Sequence, residues 1–155
     1  NIARHYNTLT IRYAILGHLA ELVIPAPTDK PARKNKLWQE TCFEFFLAPK
    51  NSPQYWEFNL SPAGHWNVYR FVAYRQEMQA KMAVNSLSFI VQNQEDALLL
   101  MLELDLDKLV LTDQFLQVAI SAVIKPKNGE LAYWALIHCA PQADFHRRDS
   151  FLIEL

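Results

Sequence analysis

Between Gln54 and Phe71 the chain repeats a two-residue period that only extended backbone can satisfy. In Gln54-Tyr55-Trp56-Glu57-Phe58-Asn59-Leu60, the side chains of Trp56, Phe58 and Leu60 fall on one face, and Tyr55, Glu57 and Asn59 on the other. Ser61-Pro62-Ala63-Gly64 is a strong turn signal, and His65-Trp66-Asn67-Val68-Tyr69-Arg70-Phe71 then resumes the alternation. Two short adjacent runs joined by a tight turn read as an antiparallel hairpin.

The same pattern recurs along the chain. Thr8–Ile15, Thr41–Leu47, Ser86–Gln92, Ala97–Asp105, Phe115–Ile124, Leu131–His138 and Ser150–Leu155 all read as strands. Asn128-Gly129 is a hairpin turn that makes Leu131–His138 the partner of Phe115–Ile124, the best buried run. Prolines at 25, 27 and 31 and the charged stretch Asp29–Lys36 mark a long loop. About nine strands at roughly 8–12-residue spacing predict an all-β antiparallel sandwich or barrel in one domain, residues 1–155. A βαβ arrangement would need amphipathic helices between strands. The candidates are short: Tyr74–Lys81, as a helix or an excursion, and a helical turn within Asp107–Asp113. A chain of 155 residues buries a sizeable core without disulfides or metals.

Composition narrows the function. Three glycines are too few for a Gly-rich phosphate loop, and a net charge of -1 gives no sign of a nucleic-acid partner. No run of eighteen apolar residues is present to span a membrane. Cys42 and Cys139 each lie in an apolar stretch and read as buried free thiols, which favours a reducing, cytoplasmic setting. The first residue is Asn1, close before a strand pattern, so the natural protein is expected to extend further N-terminally, where a signal peptide could have stood.

The candidate site residues are aromatic and acidic. Of the four tryptophans, Trp56 and Trp134 sit in well-patterned strands and read as core, whereas Trp38 follows the basic loop and is expected to be partly exposed. An indole face stacks on the apolar face of a sugar while nearby carboxylates, amides and guanidinium groups bind its hydroxyls. Glu44, between Phe43 and Phe45, would need partners if buried. A concave face carrying Glu44, Glu57 and Asn59, with Arg70 or Arg75 nearby, is the functional reading; a solvated face is the plain one. Two carboxylates could also work as an acid–base pair on a glycoside. Asp144-Phe145-His146-Arg147-Arg148-Asp149 is dense in functional side chains; its polar groups are expected to pair with one another, and Phe145 or His146 to form a second stacking platform. With His138 these residues match no tight metal motif, and no calcium loop is visible, so no metal is expected. The basic cluster Lys30–Lys36 reads as a solvated loop.

Three blocks carry a family resemblance: Leu37–Phe46, Tyr55–Pro62 and Trp66–Phe71, with Tyr133–Leu136, Asp144–His146 and Ser150-Phe151 closing the pattern. Together they resemble the DOMON-like domains related to carbohydrate-binding module family nine. The resemblance implies a jelly-roll-type sandwich. In family-nine sugar binders a tryptophan stands six residues before a glutamate that bonds sugar hydroxyls, the spacing of Trp38 and Glu44. Arg70 takes the arginine role. No tryptophan follows Trp134, so the second platform is missing or is replaced by Phe145 or His146. The function this implies is a non-catalytic carbohydrate-binding module. The alternatives are a DOMON-type electron carrier holding haem through a Met and a His, a glycosidase using Glu44 and Glu57, and an interaction domain without a small ligand.

Overall fold

The computed structural model describes residues 1–155 as eleven strands and three single turns of 3-10 helix. In chain order the strands are β1 (Ile2–His5), β2 (Thr8–Leu16), β3 (Cys42–Pro49), β4 (Tyr55–Leu60), β5 (Trp66–Phe71), β6 (Gln79–Ala80), β7 (Phe89–Asn93), β8 (Ala97–Asp105), β9 (Leu116–Ile124), β10 (Ala132–Ala135) and β11 (Ile153–Glu154). They form two antiparallel sheets, one of four strands in the order β1-β2-β8-β7 and one of seven. The larger sheet runs β10-β9-β3-β4-β5-β6, with β11 pairing the start of β9. This is the expected all-β sandwich, with eleven strands in place of about nine. The added ones are short: β1, which pairs with the first half of β2, and the two-residue β6 within the Tyr74–Lys81 excursion. Both anticipated hairpins form, β4 with β5 and β9 with β10.

Alternation decides what fills the space between the sheets. Leu9 and Ile11 of β2 and Leu98, Leu100 and Leu102 of β8 face Phe43, Phe45 and Leu47 of β3 and Trp56, Phe58 and Leu60 of β4 in one cluster of 21 buried residues. Phe45 and Phe58 lie directly across from each other and stack at 4.2 Å. Trp56, expected in the core, is 2% exposed.

The larger sheet is covered on its outer face as well. All eight residues of β3 are buried, the signature of a central strand packed on both sides. The covering material is a second cluster of Phe46, Ala48, Tyr55, Tyr69, Phe71, Ala119 and Phe151, against which Trp38 and Phe145 pack. Trp38 arrives on the 3-10 turn Leu37–Gln39, and Phe145 and Phe151 on the segment after β10. Polar residues on this outer face are therefore enclosed.

Two expectations fail here. Trp134, read as core, is 67% exposed. It pairs with Ala122 in register, but β10 is the last strand of the wider sheet and the opposing sheet of four strands leaves its ring uncovered. The basic loop is not uniformly solvated either. Arg33 is half-buried, donates to Asn67 Oδ1 at 2.6 Å and to the carbonyls of Lys81 and Val84, and lies 4.3 Å from the centre of the Trp66 ring. Its planar fork pins the loop to β5 and to the segment after β6. Cys42 is buried and Cys139 partly so; both are free.

Candidate functional site

The outer face of the larger sheet carries an unusual row. Register places Ser121 of β9 opposite Glu44 of β3, Glu44 opposite Asn59 of β4, and Asn59 opposite Asn67 of β5. All four are buried, and so is Glu57, one step along β4 from Asn59 on the same face. A buried polar group needs a partner, and leaving one unmade costs about 1–3 kcal/mol. Asn67 is saturated: its oxygen accepts from Arg33, and its two amide hydrogens have the Lys34 carbonyl, Asn35 Oδ1 and the Tyr69 hydroxyl within reach. Asn59 donates to Glu57 Oε1 at 2.7 Å. Glu44 Oε1 and Ser121 Oγ, side by side in the row, have no partner.

Above Glu44 and Glu57 opens a cleft of about 340 Å³. Trp38, Tyr133 and Phe145 form its aromatic walls, and Arg75, Met78 and His146 its rim. Trp38 meets Tyr69 edge-on at 5.9 Å and is half-buried; Phe145 meets Tyr133 edge-on at 6.0 Å. Local backbone strain holds two of these parts. Lys36, immediately before the turn that carries Trp38, and Arg75 both have positive φ, at 58° and 53°, without being glycine. Such conformations persist where surrounding contacts enforce them, and they cluster at binding sites. The Arg75 amide is tied to the Tyr55 hydroxyl at 3.1 Å, and its guanidinium to Asp144 at 2.8 Å.

Hydrogen bonds link Arg75 through Tyr55 to His146 and stop short of the floor. The Tyr55 hydroxyl accepts from the Arg75 amide and lies 2.8 Å from His146 Nδ1, where its proton can be donated. In that arrangement His146 carries its hydrogen on Nε2, which lies 3.7 Å from Glu57 Oε2. That gap is too long for a hydrogen bond. Burial, helped by Arg75, also pulls His146 down to about 4, so the imidazole is neutral at pH 7 and the pair is not an ion pair. Burial pushes Glu57 up to about 7, against the pull of Asn59 and Arg75. Burial and the neighbouring Glu57 hold Glu44 well above the usual carboxylate range. The floor is thus two crowded carboxyl groups with little positive charge to balance them.

Of the residues expected at the site, Trp38, Glu44, Glu57, Phe145 and His146 line this one cleft. Asn59 is fully buried beneath it and bonds Glu57, so its contribution is to orient that carboxyl. Arg70 does not join them. Alternation along β5 turns it to the face of Trp66 and Val68, where it donates to Gln54 at 2.8 Å. Arg75, the other arginine considered, lines the cleft instead. Tyr133 stands out in the sequence only as part of the Tyr133–Leu136 resemblance block, and Met78 only as one of three methionines open to the haem alternative. Asp144, in the dense tail, pairs with Arg75 and with Tyr74 from a different part of the chain.

The haem alternative does not fit this cleft. His146 and Met78, its one histidine and one methionine, share a space of about 340 Å³ with two buried carboxyl groups, too small and too acidic for a large, flat, apolar macrocycle. A larger groove of about 570 Å³ opens between β2 and β10 near Trp134, but 13 of its 17 lining residues are hydrophobic. It lacks the convergent polar groups that orient a small polar ligand.

No protein-family model matches the chain, and no curated protein matches it significantly. Among solved structures, the fold resembles that of a protein from Bacteroides uniformis ATCC 8492 provisionally described as carbohydrate-binding. The TM-score is 0.66 at 14% identity, and the match covers 97% of this chain and 73% of that one. At this identity the likeness shows a shared fold and nothing more.

Proposed function

We propose that this chain is a non-catalytic binding module whose cleft takes a small sugar or the end of a glycan. The observation that carries the reading is the pair Glu44 and Glu57: two almost wholly buried carboxyls that line the floor of a cleft with aromatic walls. A hydroxyl-rich ligand would hydrogen-bond the parts of these carboxyls that face the cleft, and a ring seated between Trp38 and Phe145 would stack its apolar face on them. A volume of about 340 Å³ lies at the small end of the range for ligand sites, which suits a monosaccharide. The Trp38-to-Glu44 spacing resembles that of family-nine sugar binders, and the Bacteroides protein of similar fold supports the same ligand class. A glycosidase is less well supported. Glu44 and Glu57 rise from adjacent strands of one floor and meet a ligand from the same side, whereas hydrolytic carboxyl pairs flank the scissile bond.

The test is a glycan array followed by calorimetric titration with the best monosaccharide. Trp38→Ala is expected to weaken binding at least about tenfold through loss of the stacked ring, with the thermal unfolding transition still cooperative. Binding unchanged in a folded Trp38→Ala protein would remove this cleft from consideration.

A further inference from the structure

We infer that the ligand group seated on the cleft floor is positively charged, so that among sugars the site selects an amine-bearing hexosamine over a neutral hexose. The inference rests on the carbohydrate reading for its sugar part, and on the charges of the cleft for its cationic part. Two carboxyl side chains, Glu44 and Glu57, face the cleft from neighbouring strands, both almost wholly buried. The basic groups at the rim do not neutralise them. Arg75 bonds Asp144 at 2.8 Å, and the His146 ring meets Tyr55 through Nδ1 while its Nε2 stays 3.7 Å from Glu57. The floor therefore holds two acids that face the cleft with no lysine or arginine bonded to either.

The remaining surfaces fit an organic cation rather than a metal ion. No group of three or more His, Cys, Asp or Glu side chains gathers anywhere in the molecule to complete a coordination shell. The aromatic residues Trp38, Tyr133 and Phe145 line the cleft instead. Aromatic rings around a carboxylate hold an ammonium group by combined cation–π attraction and charge-assisted hydrogen bonding. The elevated protonation of Glu57 fits the same picture, because a cation arriving beside it would restore the carboxylate.

Calorimetric titration at pH 7 with glucosamine, N-acetylglucosamine, glucose and choline tests this. Glucosamine is expected to bind about tenfold or more tighter than glucose or the N-acetylated sugar, the scale of one charge-assisted contact. Glu57→Gln and Glu44→Gln, each checked for a cooperative melt, are expected to remove that preference. Glucose binding as tightly as glucosamine in the unaltered protein would overturn the inference and leave the sugar reading standing. Choline bound, and lost in Glu44→Gln, with no sugar bound, would uphold the cationic preference and remove the carbohydrate. Failure of all four probes to bind would overturn both.

Discussion

Replacing Glu57 by Gln should stabilise the fold, and by an amount that depends on pH. The residue is 4% exposed, and burial raises its carboxyl from 4.5 in the unfolded chain to about 7. Between those two values the folded protein retains a proton that the unfolded chain has released. Stability therefore falls as pH climbs through that window, and the whole penalty is present above it. A separation of about 2.5 units corresponds to ~3 kcal/mol at pH 8, but below ~1 kcal/mol at pH 5. Glutamine carries no such penalty. Its amide oxygen can still accept from Asn59, and the 3.7 Å spacing to His146 leaves no hydrogen bond to lose. His146 acts in the opposite sense. Its value falls from 6.5 to about 4, so its contribution rises with pH between those limits and partly masks the slope of the parent protein. That contribution is common to parent and variant and drops out of their difference. Urea titrations followed by tryptophan fluorescence at pH 5 and pH 8 should show a gain about 2–3 kcal/mol larger at pH 8. An equal gain at both pH values, or a loss at pH 8, would mean that the folded state does not desolvate this carboxylate. The same variant is expected to lose amine selectivity, an exchange of function for stability common at binding sites.

Two further changes probe what holds the cleft in place. Arg33→Ala removes three donor contacts and the stack on Trp66, and should cost about 2 kcal/mol in urea unfolding; Arg33→Lys should recover little, because an ammonium cannot reproduce the fork. Thr41→Val strands the Val23 carbonyl and the Lys125 amide that the threonine hydroxyl serves at 2.6 and 3.1 Å, and should lower stability by ~1–3 kcal/mol in the same assay; a neutral result would show that water replaces the hydroxyl.

The strands themselves were legible in the sequence because their signal is local. Ala97–Asp105 was read to the residue, and both hairpins followed from turn residues between alternating runs. Alternation also placed Glu57 with Asn59 and opposite to Trp56, as the structure has it. It contained the position of Arg70 too: a residue two along from Val68 shares that residue's face, so Arg70 had to point away from Asn67 and Tyr69.

Coverage of each face was decided only by tertiary structure. A period of two states which residues share a face; it does not state whether another segment lies over that face. Trp134 has the pattern of a core residue and stays in solvent because the smaller sheet does not reach the last strand of the larger one. Glu44 has the pattern of a solvated residue and is enclosed because Trp38 and Phe145, brought from opposite ends of the chain, pack over β3. Desolvation, and the missing partner that marks the site, arise from that long-range coverage, since the cost of burying a charge depends on all the atoms around it and not on its neighbours in sequence.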